Sequence, residues 1–205
     1  MKKSFYLLGL LLIANFIFIG CSSDEDLDPI TQMDEGVVIL GTRWATRNVD
    51  RPGHFAATPE SIGMVYQWNR RTAFPADEGE YIANTAATGT AWERRNDPCP
   101  PGWRVPTRTE MERLIGAASS RWINQEGVYG QLFGLYPNQI FLPARSFHRD
   151  MGNGEIHELR VGMYWGSTQS NRDTAHGIGF AFNNAPRIVA DWERIGLLSI
   201  RCVAR

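Results

Sequence analysis

Cysteine is scarce, with three in 205 residues. Cys21, Cys99 and Cys202 are far apart in sequence, which removes the close thiol pairs used for metal or redox chemistry. The four histidines, His54, His148, His157 and His176, show no ligand spacing. Glu155-Ile156-His157-Glu158-Leu159 invites a zinc reading, but a helical zinc motif needs a second histidine four residues after His157, where Val161 stands. No Gly-x-Ser-x-Gly elbow frames Ser167 or Ser170. A phosphate loop and a dinucleotide fingerprint are also missing, so the expectation is no metal, no cofactor and no catalytic residue. Charge of one sign is absent too. The 21 basic and 22 acidic residues give −1, and no basic stripe points to nucleic acid.

The one long apolar run lies at the start. Lys2 and Lys3 precede Phe5–Ile19, and Gly20-Cys21 closes the run. That is the architecture of an export signal, and it is shorter than the roughly 20 residues of a membrane helix. Phe18-Ile19-Gly20-Cys21 resembles a bacterial lipobox, which implies cleavage before Cys21 and lipid on its thiol. The alternative is an ordinary signal with an incidental cysteine. Residues 21–35 read as an acidic tether with no apolar face to bury. Its Ser23-Asp24-Glu25-Asp26 run resembles the surface-export signal of Bacteroidetes lipoproteins. The expected location is the outer membrane, lipid-anchored through Cys21 and facing the exterior.

Residues 36–205 then form one domain with room for a real core. With Cys21 given to lipid, Cys99 and Cys202 are the remaining pair, and an exported protein allows a disulfide. The alternative is two buried thiols. Asn96–Thr107 holds Pro98, Pro100, Pro101 and Pro106, so it reads as a stiff extended loop. Thr107-Arg108-Thr109-Glu110 is a capping box, opening a helix over about 108–119 with Met111, Leu114 and Ile115 on one face. A second amphipathic piece covers 122–133, broken by Gly127 and Gly130. Short strands are expected near 36–41, 63–68, 140–144, 162–168, 177–182 and 197–203, with a hairpin tip at Gly152-Asn153-Gly154.

Seven tryptophans are generous for this length. Trp44, Trp68, Trp103 and Trp165 sit in apolar or Gly/Pro-framed segments and are expected in the core. Trp92, Trp122 and Trp192 have charged neighbours, which suits either a half-buried ring or a surface that stacks on a sugar or a protein partner.

Six blocks carry a family resemblance. They are Gly41…Trp44…Arg47-Asn48-Val49, Gly63…Tyr66-Gln67-Trp68, Asn96–Thr107 with Glu110 and Leu114, Phe141–Ala144, Tyr164–Thr168 and Ser199–Val203. Together they resemble the Fibrobacter succinogenes major paralogous domain of Bacteroidetes lipoproteins. That family is similar in turn to the C-type-lectin-like fold of formylglycine-generating enzymes. The resemblance implies an α+β fold: a small twisted antiparallel sheet, one or two flanking helices and long ligand-carrying loops. The cysteine pair of those enzymes is missing, as are the calcium tripeptides of lectins. Asp173-Thr174-Ala175 resembles a Bacteroidetes O-glycan attachment site at Thr174, although so short a pattern also arises by chance.

The expected function is a non-catalytic surface module for a glycan or protein ligand, contacted through Trp122, His148, Arg149, Asp150 and Asn153. A structural or tip subunit of a fimbria-like appendage is the second expectation. An oxidase related to formylglycine-generating enzymes is the third.

Overall fold

The computed structural model describes residues 33–77, 88–116, 119–149 and 156–205. Cys21, the expected signal and most of the expected tether lie outside the described residues. The elements run β1 (Val37–Ile39), β2 (Thr42–Trp44), β3 (Met64–Tyr66), β4 (Ala73–Pro75), β5 (Trp103–Arg104), α1 (Arg108–Gly116), β6 (Ser120–Gln125) and β7 (Val128–Leu135). They continue with β8 (Asn138–Pro143), β9 (Ser146–Arg149), β10 (Ile156–Leu159), β11 (Val161–Gln169), β12 (Thr174–Ala181), β13 (Asn184–Glu193) and β14 (Val203–Ala204). The fold is thus built mainly from antiparallel sheets with one short α-helix among the described residues. That helix is not long and apolar enough to cross a membrane.

The sheets are small: β1-β2-β14-β5, β6-β7-β8 and β11-β12-β13, with two-stranded ribbons β3-β4 and β9-β10. Two hydrophobic cores lie on either side of a central set of strands. Side chains alternate along a strand, so neighbouring residues serve opposite faces. Tyr164 belongs to the first core and Trp165 to the second. Trp44 and Ala45 divide the same way, as do Val203 and Cys202. The Tyr164-Trp165 pair therefore works as a double-sided wedge, and the indoles of Trp165 and Trp68 each meet a polar partner. Trp165 Nε1 donates to the Tyr66 carbonyl at 2.6 Å, and Trp68 Nε1 donates to the Gly166 carbonyl at 2.9 Å. On the first-core side Phe180 stacks on Tyr164 and meets Phe133 edge-on. Its ring lies across Gly162, where a Cβ would sit 2.1 Å from the ring, so only glycine fits.

The proline loop does the fastening expected of it. Cys99 and Cys202 form a disulfide that closes a 103-residue span. Ser167 N donates to the Pro106 carbonyl at 2.7 Å, and Arg108 N donates to Thr168 Oγ1 at 3.0 Å, which joins this loop to the end of β11. The capping box forms as drawn from sequence. Glu110 N donates to Thr107 Oγ1 at 3.3 Å, and Thr107 N donates to Glu110 Oε2 at 2.8 Å. Arg104 adds a two-pronged contact to the same carboxylate at 2.8 and 2.5 Å. Trp103, expected to plug the core, is only half-buried and packs edge-on against Phe55 at 5.5 Å.

Two carboxylates in this block respond to acid in opposite ways. Burial works to raise the Glu110 carboxyl, but the Arg104 and Thr107 donors outweigh it and hold it below the ordinary carboxylate range. Its stabilisation is therefore complete above its unfolded-state value and is lost as pH falls through the lower folded value. Burial pushes the Asp97 carboxyl up despite the Cys99 and Val105 amides, so its ionised form is a burden that acid relieves. Glu110→Gln is expected to cost roughly 1–2 kcal/mol at pH 7 and far less at pH 3. Urea unfolding at the two pH values measures the difference.

Several expectations change on contact with the structure. The 122–133 piece is not helical. It is the β6–β7 hairpin, with Gln125 opposite Val128 and a two-residue turn at Glu126-Gly127. Gly127 supplies the left-handed turn, and Gly130 lets the Phe141 ring approach. α1 ends at Gly116, with residues 117–118 outside the described set. The 197–203 segment is extended, but only Val203 and Ala204 belong to a regular strand. The rest bonds to a succession of neighbours, with Leu198 on Tyr66, Ser199 on Met163 and Trp165, and Cys202 on Ala45. β13 was not expected at all. It is an edge strand carrying Pro186 and two register shifts against β12, features that discourage edge-to-edge pairing.

Candidate functional site

β6 is the outer strand of its sheet, and Trp122 projects from it beside Tyr129 on β7. Trp122 pairs with Gln131, so Tyr129 is its diagonal neighbour on the same face. The two rings are nearly parallel, 19° apart with centroids 6.3 Å apart. Phe182 comes from the turn between β12 and β13, where Asn183 takes a left-handed φ of 64°. It meets Trp122 at 61° and 5.9 Å, and 61% of its surface is exposed. Arg160 places its guanidinium 4.2 Å from the Tyr129 ring centroid. The result is an aromatic platform with a cation at one side, rooted in the first core through Trp122.

This arrangement has two working parts. The exposed Phe182 ring, with the half-buried Trp122 and Tyr129 rings beside it, offers apolar surface that suits a sugar ring or a flat side chain. The exposed guanidinium offers several fixed donors that suit a carboxylate or a row of hydroxyls. No carboxylate forms an ion pair with Arg160 among the described residues, whereas the preceding Glu158 pairs with Arg145 at 3.3 Å.

Of the residues expected to bind, Trp122 joins this platform. His148 and Arg149 lie on β9 opposite His157 and Ile156, in a separate ribbon. Asp150 and Asn153 lie outside the described residues, as does the Gly152–Gly154 tip. Thr174 opens β12, and its hydroxyl donates to the Ala190 carbonyl at 3.2 Å. The other two candidate tryptophans face inward. Trp92 leans on Trp68 and donates to the Asn96 carbonyl at 2.9 Å, and Trp192 packs on the second core.

Sequence reasoning missed Tyr129, Phe182 and Arg160. Placing 122–133 in a helix hid the Trp122–Tyr129 diagonal. Phe182 was counted as the end of a strand, although the following Asn183-Asn184 was a turn signal.

Among the described residues no group of three or more His, Cys, Asp and Glu gathers as a metal cage. His176 is buried on β12, and burial pushes its imidazole down, with the Arg108 charge adding to the effect. No family model, curated protein or solved structure matches this chain.

Proposed function

We propose that the protein is a lipid-anchored surface module, without catalysis, that holds a glycan on the Trp122–Tyr129–Phe182 platform. The observation that carries this reading is the exposed Phe182 ring set against Trp122, with the Arg160 guanidinium alongside. Nothing in the packing of the fold requires so exposed a phenylalanine at a turn tip. Rigid aromatic rings of this kind bind with little loss of side-chain freedom. The two-sided core and the disulfide keep the strands beneath them fixed, so the platform is formed before ligand arrives.

We assign the domain to the C-type-lectin-like class by its resemblance to the major paralogous domain. The proline loop bridged to the last strand, the capped helix behind it and the antiparallel sheets support that assignment. Cys21 is the proposed lipid attachment, and the outer face of the outer membrane the proposed location.

The test is a glycan array probed with the full chain, followed by titration of any hit against Trp122→Ala and Phe182→Ala. Each variant is expected to weaken binding by tenfold or more, on the order of the loss seen at buried aromatic anchors. Phe182→Ala is expected to melt with the parent, because its ring is largely exposed. A blank array with folded protein counts against the reading, as does a hit that both variants bind equally well.

A further inference from the structure

A second group of apolar side chains is exposed on two hairpin tips. The β1–β2 tip is a two-residue turn, Leu40-Gly41, closed by the Ile39–Thr42 pair. The β7–β8 tip is Tyr136-Pro137, closed by Leu135 and Asn138. These tips are neighbours. A Cβ on Gly134 would sit 3.1 Å from Ile39 Cδ1; the β1–β2 tip begins one residue after Ile39 and the β7–β8 tip two residues after Gly134. Leu40 is 60% exposed, Leu135 65% and Tyr136 89%.

Leu40 is the most telling of the three. Its φ is 45° and that of Gly41 is 81°, a turn in which asparagine followed by glycine is the favoured pair. A leucine there is strained and gains no burial to offset the strain. Neither the turn nor the core accounts for it. Both tips are also free of charge. Gly36 to Thr42 and Gly127 to Ala144 contain no Asp, Glu, Lys or Arg.

We infer that these two tips seat on the lipid bilayer, with Leu40 and Leu135 at the acyl boundary and Tyr136 at headgroup level. Uncharged apolar tips enter that boundary without desolvating an ion, and tyrosine favours the interface. The occupant follows from the chain outside the fold. Asp34 is fixed to the domain by the Gly36, Thr46 and Arg47 amides. Cys21 lies 13 residues before it, a span of at most about 45 Å, so the tips are within reach of any bilayer that holds the N-terminal segment. The inference rests on the N-terminal attachment proposed above and is independent of the glycan platform. It also orients that platform. Tyr129 lies six residues from Leu135 along β7, about 20 Å, so seating the tips turns the platform away from the lipid.

The test uses the full chain reconstituted into phosphatidylethanolamine and phosphatidylglycerol vesicles, where lipid on Cys21 or the Phe5–Ile19 segment retains it. A dye is placed on Leu135→Cys, Tyr136→Cys or Phe182→Cys, and quenching by lipid-borne nitroxides is read. Quenching several-fold stronger at positions 135 and 136 than at 182 is expected. Leu40→Asn is expected to reduce the quenching at 135 while melting no lower than the parent. Equal quenching at all three positions overturns the inference. Dyes shielded from water yet not quenched by lipid also overturn it and identify a second copy of the chain as the occupant. A chain that fails to sediment with vesicles overturns the attachment on which it rests, and leaves the glycan result untouched.

Discussion

Arg201→Met is expected to lower the melting temperature by roughly 10 °C, the largest loss from any single substitution considered for this fold. The Arg201 side chain is fully buried, and among the described residues no carboxylate forms an ion pair with it. Its guanidinium instead donates to Asn48 Oδ1 at 2.9 Å, the Ala45 carbonyl at 3.2 Å and the Phe141 carbonyl at 3.0 Å. Asn48 in turn donates to the Tyr164 hydroxyl, which donates to the Pro143 carbonyl. This network ties the segment after β2, the end of β8, the wedge strand β11 and the C-terminal segment to one cation. Burial pulls the Arg201 guanidinium down to about 10, so it stays charged at neutral pH. Burial likewise pushes the Tyr164 phenol up to about 12, which keeps it neutral. Methionine fills much of the volume but leaves three buried acceptors without donors. At about 1–3 kcal/mol for each, with partial relaxation, the loss is on the order of 3–5 kcal/mol. Thermal and urea unfolding followed by circular dichroism read it directly. A variant within about 1 kcal/mol of the parent would mean that the network contributes little.

The second large effect is loss of the disulfide. The Cys99→Ser, Cys202→Ser double variant is expected to be destabilised by about 4–5 kcal/mol, because the bridge closes a loop of roughly a hundred residues in the unfolded chain. The native contacts around it argue for a loss near that figure. Cys202 is fully buried in the second core and its carbonyl accepts from Ala45 N, so the site is rigid and cannot recover the loss by rearranging. Reduction of the parent chain by dithiothreitol is expected to give the same shift. Equal melting of the oxidised and reduced chains would overturn the fastening role of the proline loop.

What could be read in advance follows the range over which each signal acts. The capping box and α1 were legible because they depend on residues three or four apart. The Cys99–Cys202 pair was legible because few cysteines compete. Trp44, Trp68 and Trp165 were legible as core because each follows a glycine in a short strand-like segment. The β6–β7 hairpin was not. Trp122, Tyr129 and Phe133 recur at spacings close to a helical period, and only the long-range pairing of β7 with β8 decides the matter. β13 was hidden by Pro186 and by polar residues on both of its faces. Arg194 and Arg201 were invisible as core residues, because a charge reads as surface until the carbonyls that surround it are known. Arg194 is held by the carbonyls of Thr174, Gly89 and Asn171 and lies over Trp68, a setting no local pattern encodes. The candidate platform failed to appear for a related reason. It is assembled from a strand edge, its neighbour and a distant turn, and only Trp122 had carried a signal of its own.

The bridge has a mechanical meaning as well. Under the proposed N-terminal attachment and ligand binding at Trp122, the domain would be loaded in tension, with force entering at Asp34. The platform residues Trp122, Tyr129, Arg160 and Phe182 all lie inside the loop closed by Cys99 and Cys202. Pulling therefore reaches them from both ends of that loop at once, through β5 on one side and the C-terminal segment on the other. The proposed grip thus lies where the chain is held from both sides.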